Sequence, residues 1–92
     1  MKDLESLRTQ IDALDAELIG VLARRQRLVE AVLLIKKDKH IPARIQDRID
    51  EVIANAGQKA KAEGLDPDLA RTVWAAMVEW FVQHEEQELA KR

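Results

Sequence analysis

From Leu4 onward, apolar residues recur at alternating steps of three and four. Leu4, Leu7, Ile11, Leu14, Leu18 and Val21 open the series, and Leu28, Val32 and Ile35 continue it after one interruption. Such spacing keeps one narrow stripe along a single long helix, the seam of a coiled coil. The interruption is Arg25, which stands where the next apolar residue belongs. A guanidinium stays charged and is costly to take out of water without an anion. No acid stands three or four residues before Arg25 to pair with it along the same helix. The seam therefore either meets a carboxylate from another helix at this point or opens there around an anionic ligand.

A chain of 92 residues points to one domain, residues 1–92, with a modest core. Its apolar residues are aliphatic apart from two tryptophans and one phenylalanine, and three glycines with two prolines leave room for few turns. Few, long elements are expected. The net charge of -2 argues against a nucleic-acid surface, so any cluster of cations is local. The absence of cysteine excludes disulfides and thiolate metal sites. Met1-Lys2-Asp3-Leu4 enters the helical pattern at once, without an apolar signal core, and no stretch is long enough to span a bilayer. A cytoplasmic protein without a membrane partner is the expectation.

The pattern predicts an all-α fold of three helices. The first spans about Asp3 to Lys37 and at ~1.5 Å per residue would be roughly 50 Å long. A globule of this size has a radius near ~13 Å, so a single chain cannot cover such a seam. Polar Lys37 to His40 breaks the period, and Pro42 marks a boundary. The second helix, about Ala43 to Glu63, carries Ile45, Ile49, Val52, Ile53, Ala56 and Ala60 on one stripe, with Gly64 as its stop. Gly57 weakens its middle. The third opens on Asp66 as N-cap with Pro67 at N1, and its stripe runs through Leu69, Val73, Trp74, Met77, Val78 and Phe81. Isologous pairing of two long helices into a homodimer is the physical expectation. A plain helical dimerisation module without catalysis would account for the same seam.

Several charged residues carry more than solubility. Arg8 and Lys36 lie four heptads apart on the same edge of the seam. Arg25 and Lys36 are 11 positions apart, roughly 16 Å of rise, close enough for two long side chains to bracket one small ligand. Arg8 is 17 positions from Arg25, roughly 25 Å, and can join only from a second, antiparallel chain. By itself Arg8 reads more readily as a solvated helix edge paired with Asp12. Arg48, with Arg44 one turn earlier, sits at the inner edge of the second helix, where snorkelling is the plain alternative. Glu85 extends the Trp74, Val78, Phe81 stripe by one step, so its carboxylate either pairs with Arg25 or gives up solvent. Glu86 and Glu88 should face water. His40 and His84 are isolated and make no metal array. The single serine, Ser6, has no histidine near it in sequence, and no glycine-rich phosphate loop exists. What remains is a few fixed cations, one carboxyl group and aliphatic walls, suited to a small dicarboxylate. Such a site binds and stabilises charge without a nucleophile or a cofactor.

These residues, in order, resemble a known family. Leu7-Arg8-x-x-Ile11-Asp12-x-Leu14-Asp15, then Leu22-Ala23-x-Arg25, Lys36 eleven residues on, Pro42, Arg48 and Gly64-Leu65-Asp66 look like the all-helical (AroQ-type) chorismate mutases over nearly the whole chain. The resemblance implies an intertwined homodimer with two sites. It implies the Claisen rearrangement of chorismate to prephenate, an isomerase reaction of the shikimate pathway and aromatic amino acid biosynthesis. It also implies roles. Arg25 and the partner's Arg8 would hold the substrate carboxylates, Lys36 would donate to the breaking ether oxygen, and Arg48 would lie on the same anionic wall. Glu85 stands in the place of a second ether-oxygen donor. A protonated carboxyl can donate there and an ionised one repels, so activity is expected to fall with rising pH and Glu85→Gln to flatten that fall.

Three positions depart from the family's common pattern. Ile49 replaces a glutamate that binds the substrate hydroxyl, Glu85 replaces a glutamine, and Phe81 replaces a small hydroxyl residue. With Ile45 they would line the substrate ring. The aliphatic Ile49 and the Trp80-Phe81 pair also resemble the isochorismate-pyruvate lyases of the same fold, and a 4-amino-4-deoxychorismate mutase is a third reading.

Overall fold

The computed structural model describes residues 3–91, and three helices make up its regular structure: α1 (Leu4–Lys39), α2 (Gln46–Glu63) and α3 (Pro67–Leu89). No strand occurs among the described residues. The all-α expectation holds. No helix among these residues is long and apolar enough to cross a membrane. The chain divides into two compact units, one reaching to Val32 and the other beginning at Leu33.

The first unit is the greater part of α1. Asp3 opens it as N-cap, its Oδ1 accepting from the Ser6 backbone N–H at 2.7 Å. This bond satisfies one of the donors that a helix start leaves orphaned. The heptad seam is exposed along its length: Leu4, Leu14 and Leu28 retain 62, 63 and 71% of their surface.

The second unit holds the buried residues. Leu33, Ala43 and Leu89 form its apolar cluster. Burying a leucine this fully contributes about 2 kcal/mol. Elsewhere in the unit the buried positions are Ala56, Gly57 and Ala60 on α2 and Ala70, Val82 and Glu85 on α3, small where α2 lines the packing, and α2 and α3 pack against each other. Gly57 has a packing role there. A Cβ at this position would lie 2.7 Å from the Arg71 guanidinium, whose side chain crosses the glycine.

Local signals end the helices as their residues require, with two shifts from the sequence pattern. α1 runs two residues past Lys37, because Lys39 is followed by His40 in the left-handed region at φ 58°. The Ile41 N–H then returns to the Lys36 carbonyl at 2.9 Å, a Schellman ending. α2 begins three residues after Ala43, with Ile45 extended as its N-cap and no side-chain cap bond. Ala43 stands before the helix, its carbonyl accepting from Lys36 rather than opening the α2 ladder. Gly64 at φ 76° closes α2, and the Leu65 N–H reaches the Ala60 carbonyl at 2.8 Å. Asp66 caps α3 through the Asp68 N–H at 2.8 Å, with Pro67 at the first position.

Candidate active site

Lys36 and Glu85 are 49 positions apart, and the second unit brings them together. The Lys36 ammonium donates to Glu85 Oε2 at 2.8 Å and to the Ala43 carbonyl at 2.9 Å. Their side chains keep only 13% and 7% of their surface. Glu85 is the buried charged residue among the described ones. Its partner is therefore Lys36, where the sequence pattern offers Arg25. A charge removed from water survives only when paired and hydrogen-bonded, and this pair meets both conditions. An ammonium held this way is aimed in advance. A substrate oxygen that displaces one acceptor would meet a positive charge that needs no reorganisation.

After the Schellman turn at His40 and the proline at 42, the Ala43 methyl enters the Leu33–Leu89 cluster while its carbonyl meets Lys36. The next residue, Arg44, leaves this line and reaches α3. Its Nη1 and Nη2 donate to the two oxygens of Glu79 at 3.0 and 2.7 Å, and Glu86 lies 3.6 Å from the same guanidinium. The Arg44 fork holds the Glu79 carboxyl at about 2, far below its ordinary range, with Gln83 adding a second donor. The sequence carries no signal for this clamp, because arginine and glutamates are common on exposed helix edges.

The remaining expected site residues of this unit are less convergent. Arg48 is exposed and pairs with Glu51 on its own helix. It is not a snorkelling side chain in this structure. Ile45 is partly exposed, at 39%, and Ile49 is half-buried. Phe81 is half-buried and meets Trp80 edge-on at 5.0 Å, while Trp80 stacks on His84 at 5.5 Å. Of the two acids expected to face water, Glu86 lies near Arg44 and Glu88 pairs with Lys91 at 3.0 Å, which lowers the Glu88 carboxyl. An open groove along α3, with Ala76, Trp80, His84 and Gln87 in its wall, includes neither Lys36 nor Glu85. Among the described residues no three histidine, aspartate or glutamate side chains converge as a metal site.

In the first unit, Arg8 is exposed, while Arg25 is half-buried and its Nη1 is shielded from solvent. The seam position thus keeps its guanidinium partly out of water while the leucines around it stay exposed.

Comparison with known proteins adds an independent line. The chain is 35% identical over 71 residues to the T-protein of Enterobacter agglomerans, covering 77% of this chain and 19% of that protein. It is 31% identical over 75 residues to the 4-amino-4-deoxychorismate mutase of Streptomyces pristinaespiralis, covering 82% of this chain and 58% of the relative. It is also 33% identical over 73 residues to the T-protein of Haemophilus influenzae, covering 79% of this chain and 19% of that protein. The chain thus spans about a fifth of each T-protein and somewhat over half of the third relative. The sequence profile of the family described as chorismate mutase type II matches residues 7–86, a range that takes in Arg8 and Arg25 of α1, the connection to α2 and the Lys36–Glu85 pair, and the chain belongs to that family.

Proposed function

We propose that this chain is a chorismate mutase, converting chorismate to prephenate by holding the folded conformer and stabilising charge on the ether oxygen. The observation that carries the reading is the aimed Lys36 ammonium, held by the Ala43 carbonyl and the Glu85 carboxylate. A pericyclic rearrangement needs no base, nucleophile or cofactor. A fixed cation at the breaking bond and cations for two carboxylates suffice. Arg25 and the partner's Arg8 fill the latter role by resemblance. Arg48, Ile45, Ile49 and Phe81 are proposed to line the ring, and Glu85 to face the ether oxygen beside Lys36.

The functional form we propose is a homodimer paired through the α1 seam. An exposed leucine stripe of this length supports it, since large apolar stripes on a free surface mark an interface. A cytoplasmic enzyme without nucleic-acid or membrane partners fits this reading.

A second substrate, 4-amino-4-deoxychorismate, is favoured by the Streptomyces relative and by Ile49, which offers the ring substituent no carboxylate. One experiment decides among the readings. Disappearance of chorismate and of 4-amino-4-deoxychorismate is followed by absorbance, beside isochorismate with salicylate fluorescence. Turnover of chorismate, lost in Arg25→Ala and Lys36→Ala, is expected. Salicylate release would make the chain a lyase. No turnover of any substrate, with no binding of a bicyclic transition-state mimic, would leave a non-catalytic dimerisation module. Mixing Arg8→Ala with Arg25→Ala chains should restore one site per dimer.

A further inference from the structure

The Lys36 ammonium depends on a backbone carbonyl that helical hydrogen bonding does not hold. Ala43 lies in the connection between α1 and α2, and its carbonyl accepts from Lys36 at 2.9 Å. Backbone hydrogen bonds close this stretch at its ends, Ile41 N–H to the Lys36 carbonyl and Ile49 N–H to the Ile45 carbonyl. Ile45 caps α2 without a side-chain bond. Two things flank the Ala43 carbonyl. Before it, the Ala43 methyl is buried with Leu33 and Leu89. After it, Arg44 forks onto Glu79 at 3.0 and 2.7 Å, with Glu86 at 3.6 Å. The stretch of α3 that receives Arg44 therefore also carries Glu85, the second acceptor of Lys36. Carbonyl and carboxylate are held in one frame by the same crossing from the connection to α3.

We propose that Arg44, acting through Glu79, is a positioning residue for Lys36: the clamp fixes the Ala43 carbonyl, and that carbonyl sets where the ammonium points. The inference rests on the reading of Lys36 as the group that serves the breaking bond. The bidentate fork is what makes the clamp directional, since two parallel N–H···O bonds fix an angle that a single point charge does not. It is also solvent-exposed, with side-chain exposures of 40% and 49%. Its removal therefore leaves the buried cluster in place, and the variants should fold.

The test uses Arg44→Ala, Glu79→Ala, their double variant and the exchange Arg44→Glu with Glu79→Arg in the full chain. Misplacing a catalytic group by about an ångström costs up to ~100-fold in rate. A loosened carbonyl should cost less. Each single variant is expected to lower kcat for chorismate roughly tenfold with KM within about twofold, the double variant to be no worse, and the exchange to recover most of kcat. Alongside, the 15Nζ resonance of Lys36, assigned by its loss in Lys36→Arg, should move in the single variants and return in the exchange. Unchanged kcat in Arg44→Ala overturns the proposal, and so does a fall in kcat with an unmoved Lys36 resonance. If the native chain turns over none of the substrates, the functional reading fails on its own. The resonance then decides the positioning role: a shift in Arg44→Ala supports it and an unmoved signal overturns it.

Discussion

Removing the carboxylate of Glu85 is the sharpest perturbation available to this chain. Glu85→Ala leaves Lys36, whose side chain is 13% exposed in the native chain, with the Ala43 carbonyl as acceptor and no counter-charge from Glu85. Breaking a buried pair by deleting one partner costs about 3–5 kcal/mol, because the remaining charge stays desolvated. That is a large part of the roughly 5–15 kcal/mol that holds a small domain together. Glu85→Gln keeps an oxygen for the ammonium and should cost only about 1–2 kcal/mol. Replacing both partners, Lys36→Met with Glu85→Leu, removes both desolvation penalties and should return the chain to within about 1 kcal/mol of the native protein or above it. Urea denaturation followed by circular dichroism reads these three variants, the single Lys36→Met and Glu85→Leu chains and the native protein, at one fixed protomer concentration because association would add to apparent stability. Two results would refute the reasoning. One is a Glu85→Ala cost below about 1 kcal/mol at unchanged m. The other is a double variant that loses the sum of the single costs, which would mean the two charges do not interact.

Other consequences follow from particular residues. The proposed seam homodimer should be lost in Leu14→Glu or Leu18→Glu, which should sediment as monomers at concentrations at which the native chain is expected to sediment as a dimer. The Glu79 carboxyl, held at about 2 by Arg44 against an ordinary value of 4.5, stabilises the folded chain above the ordinary value and loses that contribution as pH falls through 2. An NMR titration should therefore place its midpoint near 2 in the native chain and back toward 4.5 in Arg44→Ala. Asp66→Ala deletes the cap of α3 and should cost about 1 kcal/mol in thermal unfolding, with Asp66→Asn near neutral. His40→Gly relieves a left-handed residue and should raise stability by about 0.5–1 kcal/mol, whereas Gly64→Ala at φ 76° should lower it by a similar amount.

What could be read in advance was whatever is decided within a few residues of itself. Asp66-Pro67 starts a helix because its side chain and fixed φ act on the next turn, and Gly64 ends one because it tolerates the left-handed region. The true end of α1 was harder to place. Lys37 to Lys39 breaks the apolar period without breaking the backbone, and only His40 does that. The start of α2 was misplaced for a tertiary reason. Ala43 reads as a helix former, but its carbonyl serves Lys36 and its methyl belongs to a cluster with Leu33 and Leu89.

The candidate site divides along the same line. Lys36 and Glu85 were each visible as charges on apolar stripes, because a stripe has a period and a charge interrupts it. That they meet each other was not visible, since no pattern within either helix encodes a contact 49 residues apart. The Arg44–Glu79 clamp had no signal of any kind. Arg48 shows the converse: its position between Ile45 and Val52 was legible, but not that it would lie exposed and pair with Glu51 one turn on along its own helix. By itself the sequence determined three helices, their caps and a seam that one chain leaves uncovered, since these follow from periodicity and local backbone chemistry. Only the tertiary structure decided which acid receives Lys36 and which carbonyl aims it, because those choices depend on how the chain returns from α1 and on where α3 then lies.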